Sequence, residues 1–319
     1  MFLQSFKITG LAVGQIFFLG AIGYFLVKKN ILGSLGLNSL SRLVLEITLP
    51  LMIFSQLAKD FSFSLYPDWW IFPLISIAIT FAGLGVGLLF TGILGKGLQK
   101  RLQFLNLIAF QNSGYLPLAL VAALLPADSL NTMFIYIFLF LLGFNLAMFS
   151  LGVYLLTFHE NKKFEFLSLF SPPVVATLAG LLFVLFGLNR FAPDALMKPL
   201  RMIGDCTLPL AMFVVGGNLA EIKISSVDKK AMLLVVLAKL IILPALGLVL
   251  ILKLRLPELL GLLVLMQLAA PSATTLSVIT THYKKEDLLI SQGIFFTHIV
   301  SILTLSLFLS LYFTLVVIR

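Results

Sequence analysis

The stretch Met266-Gln-Leu-Ala-Ala-Pro-Ser-Ala-Thr-Thr275 places a proline and several polar side chains inside an otherwise apolar segment. Pro271 lacks a backbone N–H and clashes with the preceding turn, so the sequence predicts that a helix breaks here. Ser272, Thr274 and Thr275 could then cap the amides of a second helix that begins after the break. Inside a bilayer, freed backbone groups are tolerated only within protein or around a cavity. The stretch therefore predicts a buried break that lines a site.

A second stretch, Phe110-Gln-Asn-Ser-Gly-Tyr-Leu-Pro117, has the same character. Interrupted helices in corresponding positions of two halves of a chain are typical of the binding site of a secondary transporter. Each half-helix that begins at a break presents unpaired N–H groups and a partial positive charge, so an anionic substrate is expected. Gly114 is expected to permit the turn, and the alternative for any one polar side chain is that it only satisfies the unwound backbone. The predicted substrate-binding residues are Asn112, Ser113, Gly114, Tyr115, Pro117, Gln267, Pro271, Ser272 and Thr274.

Composition assigns the chain to the membrane. Of its 319 residues 60% are hydrophobic and 11% are charged, against about 45–50% and about 25% in soluble domains. The net charge of +9 lies in short clusters between apolar segments, as the positive-inside rule expects, so the lipid bilayer and not nucleic acid is the expected partner. Cys206 is the only cysteine, which excludes an internal disulfide and a cysteine-based metal site. No catalytic, metal-binding or cofactor motif is present, so we expect neither an enzyme nor a bound cofactor.

Ten segments approach the roughly 20 apolar residues that a membrane span requires. The loops after the odd-numbered spans hold 13 of the 22 Lys and Arg residues, and the opposite side holds 8. This bias predicts that the odd-numbered loops lie in the cytoplasm and that both termini are extracytoplasmic. The expected location is the cell (inner) membrane. The first segment is expected to be a retained helix because no small-residue cleavage site follows it. The predicted spans are 10–27, 39–57, 70–94, 103–125, 131–156, 170–188, 197–219, 231–252, 258–281 and 287–317.

An internal repeat relates the two halves. Arg42-x-x-x-Glu46-x-Thr-Leu-Pro-Leu51 recurs as Arg201-x-x-x-Asp205-x-Thr-Leu-Pro-Leu210, at a constant offset of 159. Because five spans separate the copies, the second half enters the membrane in the opposite sense, which predicts an inverted repeat. The predicted domains are residues 1–157, a cytoplasmic linker at 158–169, and residues 170–319. Spans four and nine are then equivalent, with Gln111 and Gln267 expected in similar places just before the breaks.

The sequence resembles the auxin efflux carrier family, which includes bacterial malate-permease-like proteins and plant PIN-type auxin carriers. The resemblance covers essentially the whole chain and is carried by Asn112 to Pro117, by Thr207-Leu-Pro-Leu-Ala-Met212, by Gln267 to Pro271 and by Tyr283-Lys-Lys-Glu-Asp287. It implies an all-α fold similar to sodium/proton antiporters and bile-acid symporters, in which broken spans four and nine cross. It also implies a core of spans three to five and eight to ten that moves against a scaffold of spans one, two, six and seven.

Few ionisable residues lie inside the predicted spans. Glu46 and Asp205 each follow an Arg by four residues, which favours an intrahelical ion pair over a coupling role. Lys239 lies near the predicted midplane of the membrane. It could supply a fixed charge that compensates the charge of the substrate, or it could have a structural role, and the sequence supports the two alternatives equally. His298 could titrate near neutral pH, although a hydrogen-bonded structural histidine is the simpler alternative. Beyond their first residues the predicted core spans contain no Asp or Glu.

These observations predict a ten-helix secondary transporter that moves a small malate-like or auxin-like organic anion by alternating access. A sodium-coupled symporter of the bile-acid type and a non-transporting membrane receptor for the same ligand remain alternatives. A second copy bound through the scaffold helices is a further candidate partner. The sequence names neither the substrate nor the coupling ion.

Overall fold

The computed structural model describes residues 2–95, 97–158, 166–222, 224, 226–283 and 288–317, which fold as helices joined by short turns, without a β-strand. Seven of these helices, α1, α2, α3, α6, α8, α9 and α12, are long and apolar enough to cross a membrane. In chain order the helices are α1 (Phe2–Lys28), α2 (Ser34–Asp60), α3 (Ile71–Thr91), α4 (Leu98–Ala109), α5 (Tyr115–Leu124), α6 (Ala127–Thr157), α7 (Pro172–Leu185), α8 (Asp194–Glu221), α9 (Lys229–Leu254), α10 (Glu258–Ala269), α11 (Thr275–His282) and α12 (Leu288–Val316).

The three remaining predicted spans correspond to shorter helices. Span four is divided into α4 and α5, and span nine into α10 and α11. Span six corresponds to α7, which has 14 residues and begins with two prolines, a residue type that suits the first helical position because its missing N–H has no partner there. Seven spans are therefore evident from helix length alone, and a count of ten depends on these shorter elements.

Two long helices are locally widened ahead of a proline. Residues Val44–Thr48 in α2 and Leu237–Ile242 in α9 form π-helical turns. Pro50 and Pro244 each follow two residues after the turn. A proline ring clashes with the carbonyl four residues earlier, so opening the helix by one residue relieves the clash. The π-helical turn in α9 contains Lys239, and the one in α2 lies beside the site.

The helices form two sets of close neighbours. In one set α1 packs against α8, and α2 packs against α7 and α8. In the other, α3 packs against α4 and α6, and α9 packs against α10 and α12. Small residues bring α1 and α8 into backbone contact, because a Cβ added at Gly216 would overlap the carbonyl of Gly20. The two sets are also in close contact with each other, because α1 packs against α12. Thr9 of α1 shares a hydrogen bond of 2.7 Å there with Ser310 of α12, and both side chains are buried.

Candidate functional site

The two breaks lie side by side and are almost entirely buried. The first break, residues 110–114, separates α4 from α5, and the second break, residues 270–274, separates α10 from α11. They run antiparallel: the N–H of Asn112 donates to the carbonyl of Pro271 (2.7 Å), and the N–H of Ala273 donates to the carbonyl of Phe110 (2.9 Å). Each break thus satisfies backbone groups that the other leaves free, which a buried unwound segment requires.

The helices on either side of the breaks are related by 160 residues. The bounds of α4 and α10 are Leu98–Ala109 and Glu258–Ala269, and α5 and α11 begin at Tyr115 and Thr275. The prediction that Gln111 and Gln267 are similarly placed just before the breaks is wrong, because Gln111 lies within the first break, whereas Gln267 lies inside α10.

The predicted caps of the second break are also wrong. The hydroxyl of Ser272 donates to the carbonyl of Leu107 in α4 (2.7 Å) rather than accepting from α11. Thr274 is the residue before α11, and its side chain makes no capping hydrogen bond. The N–H of Ser272 donates instead to the hydroxyl of Thr297 in α12 (3.2 Å). The hydroxyls therefore attach the second break to α4 and α12.

At the first break, two residues do less than the sequence suggested. Gly114 has a negative φ of −104°, and a Cβ added there would meet Leu141 at an ordinary 3.7 Å, so the turn itself does not require glycine. Pro117 is the third residue of α5, where a missing N–H costs little because first-turn amides have no helical partner. The break arises without a proline of its own.

Buried amide side chains at the breaks have unfilled hydrogen-bonding capacity. The Nε2 of Gln267 donates to the carbonyl of Ser113 (3.1 Å), which ties α10 to the first break, but its Oε1 has no partner among the described residues. Neither amide atom of Gln111 has a partner in the described chain, although Gln111 is fully buried. The Oδ1 of Asn106 is likewise unpaired there. Such groups cost free energy when buried, so a ligand or water that pairs with them would be favoured.

Asn112 and His298 are in contact. The Nδ2 of Asn112 lies 3.4 Å from Nε2 of His298, and Nδ1 of His298 lies 2.8 Å from the carbonyl oxygen of Ile294. The Oδ1 of Asn112 accepts a long hydrogen bond from the N–H of Leu116 (3.5 Å) in the first turn of α5. Two residues predicted separately, one for substrate binding and one for coupling, are thus brought together.

A small cavity of about 70 Å³, here called the site cavity, lies between the breaks and α2. A wider cavity of about 680 Å³ lies between α11 and the ends of α2 and α8. Thr274 lines both cavities. The site cavity is lined by Leu45, Leu49, Gln111, Asn112, Ser113, Gly114, Tyr115, Leu141, Phe144, Asn145, Pro173, Ala273, Thr274 and Thr275. The wider cavity is lined by Asn38, Asn218, Glu221, Ile222, Thr274, Ser277, Val278, Thr281, His282, Leu288, Ser291 and Ile294.

The sequence missed several of these lining residues. Gln111 belongs to the quoted stretch and could have been included as a polar neighbour of Asn112. Leu45 and Leu49 reach the site cavity from α2, and nothing local in the sequence indicates this. Asn38, Asn218 and Glu221 come from two helices and meet at the wider cavity only in the folded molecule. Tyr115 does line the site cavity, and it also packs against Val44, Ala211 and Val214.

The charged candidates are spread apart. Arg42 and Glu46 form the predicted ion pair (Nε to Oε1, 2.9 Å) on an exposed face of α2. In the described structure no ion pair joins Arg201 to Asp205, so that prediction is wrong; Asp205 is exposed and Arg201 acts electrostatically on Asp60. Lys239 is only 1% exposed. Among the described residues no group of three His, Cys, Asp or Glu side chains is arranged to hold a metal ion.

Comparison with known proteins gives a consistent result. Residues 11–157 and 156–309 match a family described as "Membrane transport protein". The chain is similar to Protein PIN-LIKES 7 of Arabidopsis thaliana, with 22% identity over 77% of this chain and 80% of that protein. It is also similar to Protein PIN-LIKES 6 of the same plant, with 29% identity over 38% of this chain and 29% of that protein.

Proposed function

The chain belongs to the membrane transport protein family of the auxin efflux carriers, a family of multi-pass membrane proteins, and on that premise we propose that it is a secondary transporter of a small organic anion. The observation that carries the proposal is the site cavity, where two helix breaks bring unpaired amides and the first turns of α5 and α11 to one place. Helix N-termini and amide donors suit a carboxylate. The proposed substrate-binding residues are those predicted from the two stretches, together with Gln111.

Alternating access is proposed as the mechanism because access to the breaks is unequal. The half-helix α5 packs against α1, α6 and α8, whereas the main helical neighbour of α11 is α12. The wider cavity occupies the space beside α11, and Thr274 connects it to the site cavity. A substrate in this conformation would enter and leave on the α11 side. Movement that closed this side and opened the α5 side would complete the cycle.

The two sets of helices supply the bodies for this movement. We assign α1, α2, α7 and α8 to a scaffold, and the helices that carry the breaks to a core that moves against it. In this assignment the chain forms ten spans as two inverted five-helix repeats. The constant difference of 160 residues between the bounds of α4 and α10, and between the first residues of α5 and α11, supports it. The α11 side carries the odd-numbered loops, so the positive-inside rule makes it cytoplasmic. A cell-membrane location, external termini and association of two copies through the scaffold stay predictions.

Uptake into proteoliposomes tests the proposal. The purified protein is reconstituted and given labelled L-malate or indole-3-acetate, with empty liposomes and the Asn112→Leu variant as controls. We expect uptake of at least one acid by the wild type, and none by Asn112→Leu, which keeps the side-chain volume and loses the amide. Binding without uptake would identify a receptor. Uptake that stops when choline replaces sodium would identify a sodium-coupled symporter.

A further inference from the structure

His298 and Asn112 are placed so that one proton would change which groups the site offers to an anion. We propose that His298 is a proton-binding site that acts through the Asn112 amide, so that a proton and the carboxylate substrate bind and move together. The proposal rests on the proposed function of the breaks as an anion site. Its geometric basis is the 3.4 Å contact from Asn112 Nδ2 to His298 Nε2 and the 2.8 Å contact from His298 Nδ1 to the Ile294 carbonyl.

The hydrogen bonds define the neutral state of the pair. A carbonyl oxygen can only accept, so Nδ1 of His298 carries the hydrogen that is donated to Ile294. In a neutral imidazole the other nitrogen, Nε2, then accepts, and Nδ2 of Asn112 is the donor facing it. Asn112 consequently presents Oδ1 to the N–H of Leu116 in the first turn of α5. With His298 neutral, one of the two N–H groups of Asn112 Nδ2 faces His298 and the N–H of Leu116 faces Asn112 Oδ1, so these two donors are not free for an anion.

Protonation reverses these roles. Both nitrogens of an imidazolium donate, so Nε2 needs an acceptor in place of the Asn112 NH₂ group. Rotation of the Asn112 amide by about half a turn brings Oδ1 to His298, which satisfies the imidazolium. The Asn112 Nδ2 and the Leu116 N–H are then two donors beside the site cavity without an acceptor. A carboxylate accepts two N–H groups readily, so anion binding completes the rearranged network.

Two further features of the site support an anion in this position. Gln111 lines the same cavity, is fully buried, and has no partner for either amide atom among the described residues, so it can add a donor. The helix that begins here, α5, has ten residues and contributes the partial positive charge of its N-terminus. The anion site is therefore supported by a buried unpaired side chain as well as by the helix end.

Charge balance links the proton to the substrate. Of the described charged groups on helices packed against α12, Lys239 in α9 lies deep within a span and the others lie at or near helix ends: Lys7, Lys28, Lys100, Arg101, Lys229, Lys230, Lys253, Glu258 and His282. Lys239 is the only one of these groups inside a span, and it is not a carboxylate. An imidazolium at His298 therefore has only the substrate as a counter-ion. A buried cation or a buried anion alone is costly, whereas the two together are compensated. One proton and one monocarboxylate cross with no net charge, and each must raise the affinity for the other.

The first test is the pH dependence of binding, measured with labelled L-malate and indole-3-acetate on purified protein. Between about pH 8 and pH 6, where these acids stay largely ionised, wild-type affinity should rise with falling pH by up to about tenfold per unit. His298→Gln keeps an amide that can donate or accept without a proton, so it should bind with almost no pH dependence. His159→Gln, in the segment that joins the two halves, should behave like the wild type. A flat wild-type profile, or an unchanged slope in His298→Gln, would overturn the proposal.

The second test does not depend on transport. Nitrogen-15 NMR of labelled histidine, assigned by the signal missing from His298→Gln, should give the Nδ1–H tautomer near pH 8. Ligand binding in weakly buffered solution should take up one proton per bound anion in the wild type and none in His298→Gln. An Nε2–H tautomer, or anion binding without proton uptake, would contradict the proposal while leaving an uncoupled anion transporter intact. If neither acid binds or is transported, the proposed function loses its support, and the tautomer still decides the state of the His298–Asn112 pair.

Discussion

Lys239 is an ionisable side chain within the membrane-spanning part of the molecule. Its side chain is 1% exposed, and among the described residues no hydrogen bond or ion pair involves its ammonium. The π-helical turn that contains it packs against α10 and α4, the two helices that end at the breaks. A cation in this position, without a carboxylate in the surrounding core, favours an anion nearby.

Lys239→Met tests whether this charge serves the substrate. Methionine keeps most of the side-chain volume and loses the charge, so anion affinity should fall by about tenfold or more, equivalent to about 1.4 kcal/mol. The free energy of unfolding should not decrease, because removing an unpaired buried charge relieves a desolvation cost. Wild-type uptake should be unchanged when choline replaces sodium. Full affinity in the variant, or strong sodium dependence in the wild type, would contradict this role and support a structural role for Lys239.

Asp228 joins the N-termini of two helices outside the membrane. Its carboxylate accepts from the N–H of Ala231 (3.0 Å) and so caps α9, and it lies 2.5 Å from Nζ of Lys100 at the start of α4. The hydrogen bond from Lys100, followed by the one from the Ala231 N–H, lowers the pKa of Asp228. A lowered pKa in the folded state means that the stabilisation is complete above the ordinary value of about 3.9 and is lost as pH falls through the lowered one.

Asp228→Asn should therefore have a small and pH-dependent effect. Asparagine can still cap a helix but cannot pair with Lys100, and that pair is partly exposed, so the loss at neutral pH should be about 0.2–1 kcal/mol. Thermal unfolding in detergent should place the variant below the wild type at pH 7, and the two should converge in strong acid. Asp194→Asn is a matched control, since that carboxylate is 87% exposed and its ion pair with Lys198 is long, at 3.9 Å. Equal shifts in both variants would contradict the role assigned to Asp228.

At the scale of the helix, the second break depends on one residue. Pro271 supplies a carbonyl to Asn112 and has no N–H to continue α10. Pro271→Ala restores that N–H, so α10 can extend through the break at the expense of its pairing with the first break. Ligand affinity should fall by about tenfold or more while the protein remains folded. Pro257→Ala, at the start of the same helix and away from the breaks, is the matched control. Unchanged affinity in Pro271→Ala would show that the breaks are not part of the binding site.

Sequence alone predicted the elements that depend on local composition. Long apolar segments gave the helices, and Pro271 and the stretch from Asn112 to Pro117 gave the positions of both breaks. The wrong predictions concern partners distant in sequence, since the hydroxyl of Ser272 bonds to α4 and Gln111 lies in the first break, opposite Ser272. Packing between helices decides which backbone groups a break leaves free and which groups form hydrogen bonds with them. The contact between Asn112 and His298, 186 residues apart, has no signal in either stretch.

For the whole molecule, the proposal to be tested is that the breaks are reached from one side of the membrane. Thr274 lines both cavities, and the exposed Thr281 lines the wider one. Asp128 is exposed at the start of α6, which the predicted topology places on the other side of the membrane. Cys206 is the single cysteine and is exposed, so a Cys206→Ala protein gives an unreactive background for single-cysteine labelling. In this conformation Thr274→Cys and Thr281→Cys should react with a membrane-impermeant thiol reagent from one face, and Asp128→Cys from the other.

Sealed vesicles of known orientation provide the measurement. With odd-numbered loops in the cytoplasm, right-side-out vesicles should label Asp128→Cys alone, and inside-out vesicles should label Thr281→Cys and, more slowly, Thr274→Cys. The slower rate is expected because Thr274 is 7% exposed and is reached through the wider cavity. If each of the three variants reacts from the face opposite to the one expected, the predicted membrane orientation is wrong, but access to the breaks from one side is still supported. If Thr274→Cys reacts from the same side as Asp128→Cys, the breaks are reached past α5, and the proposed path through the wider cavity is wrong.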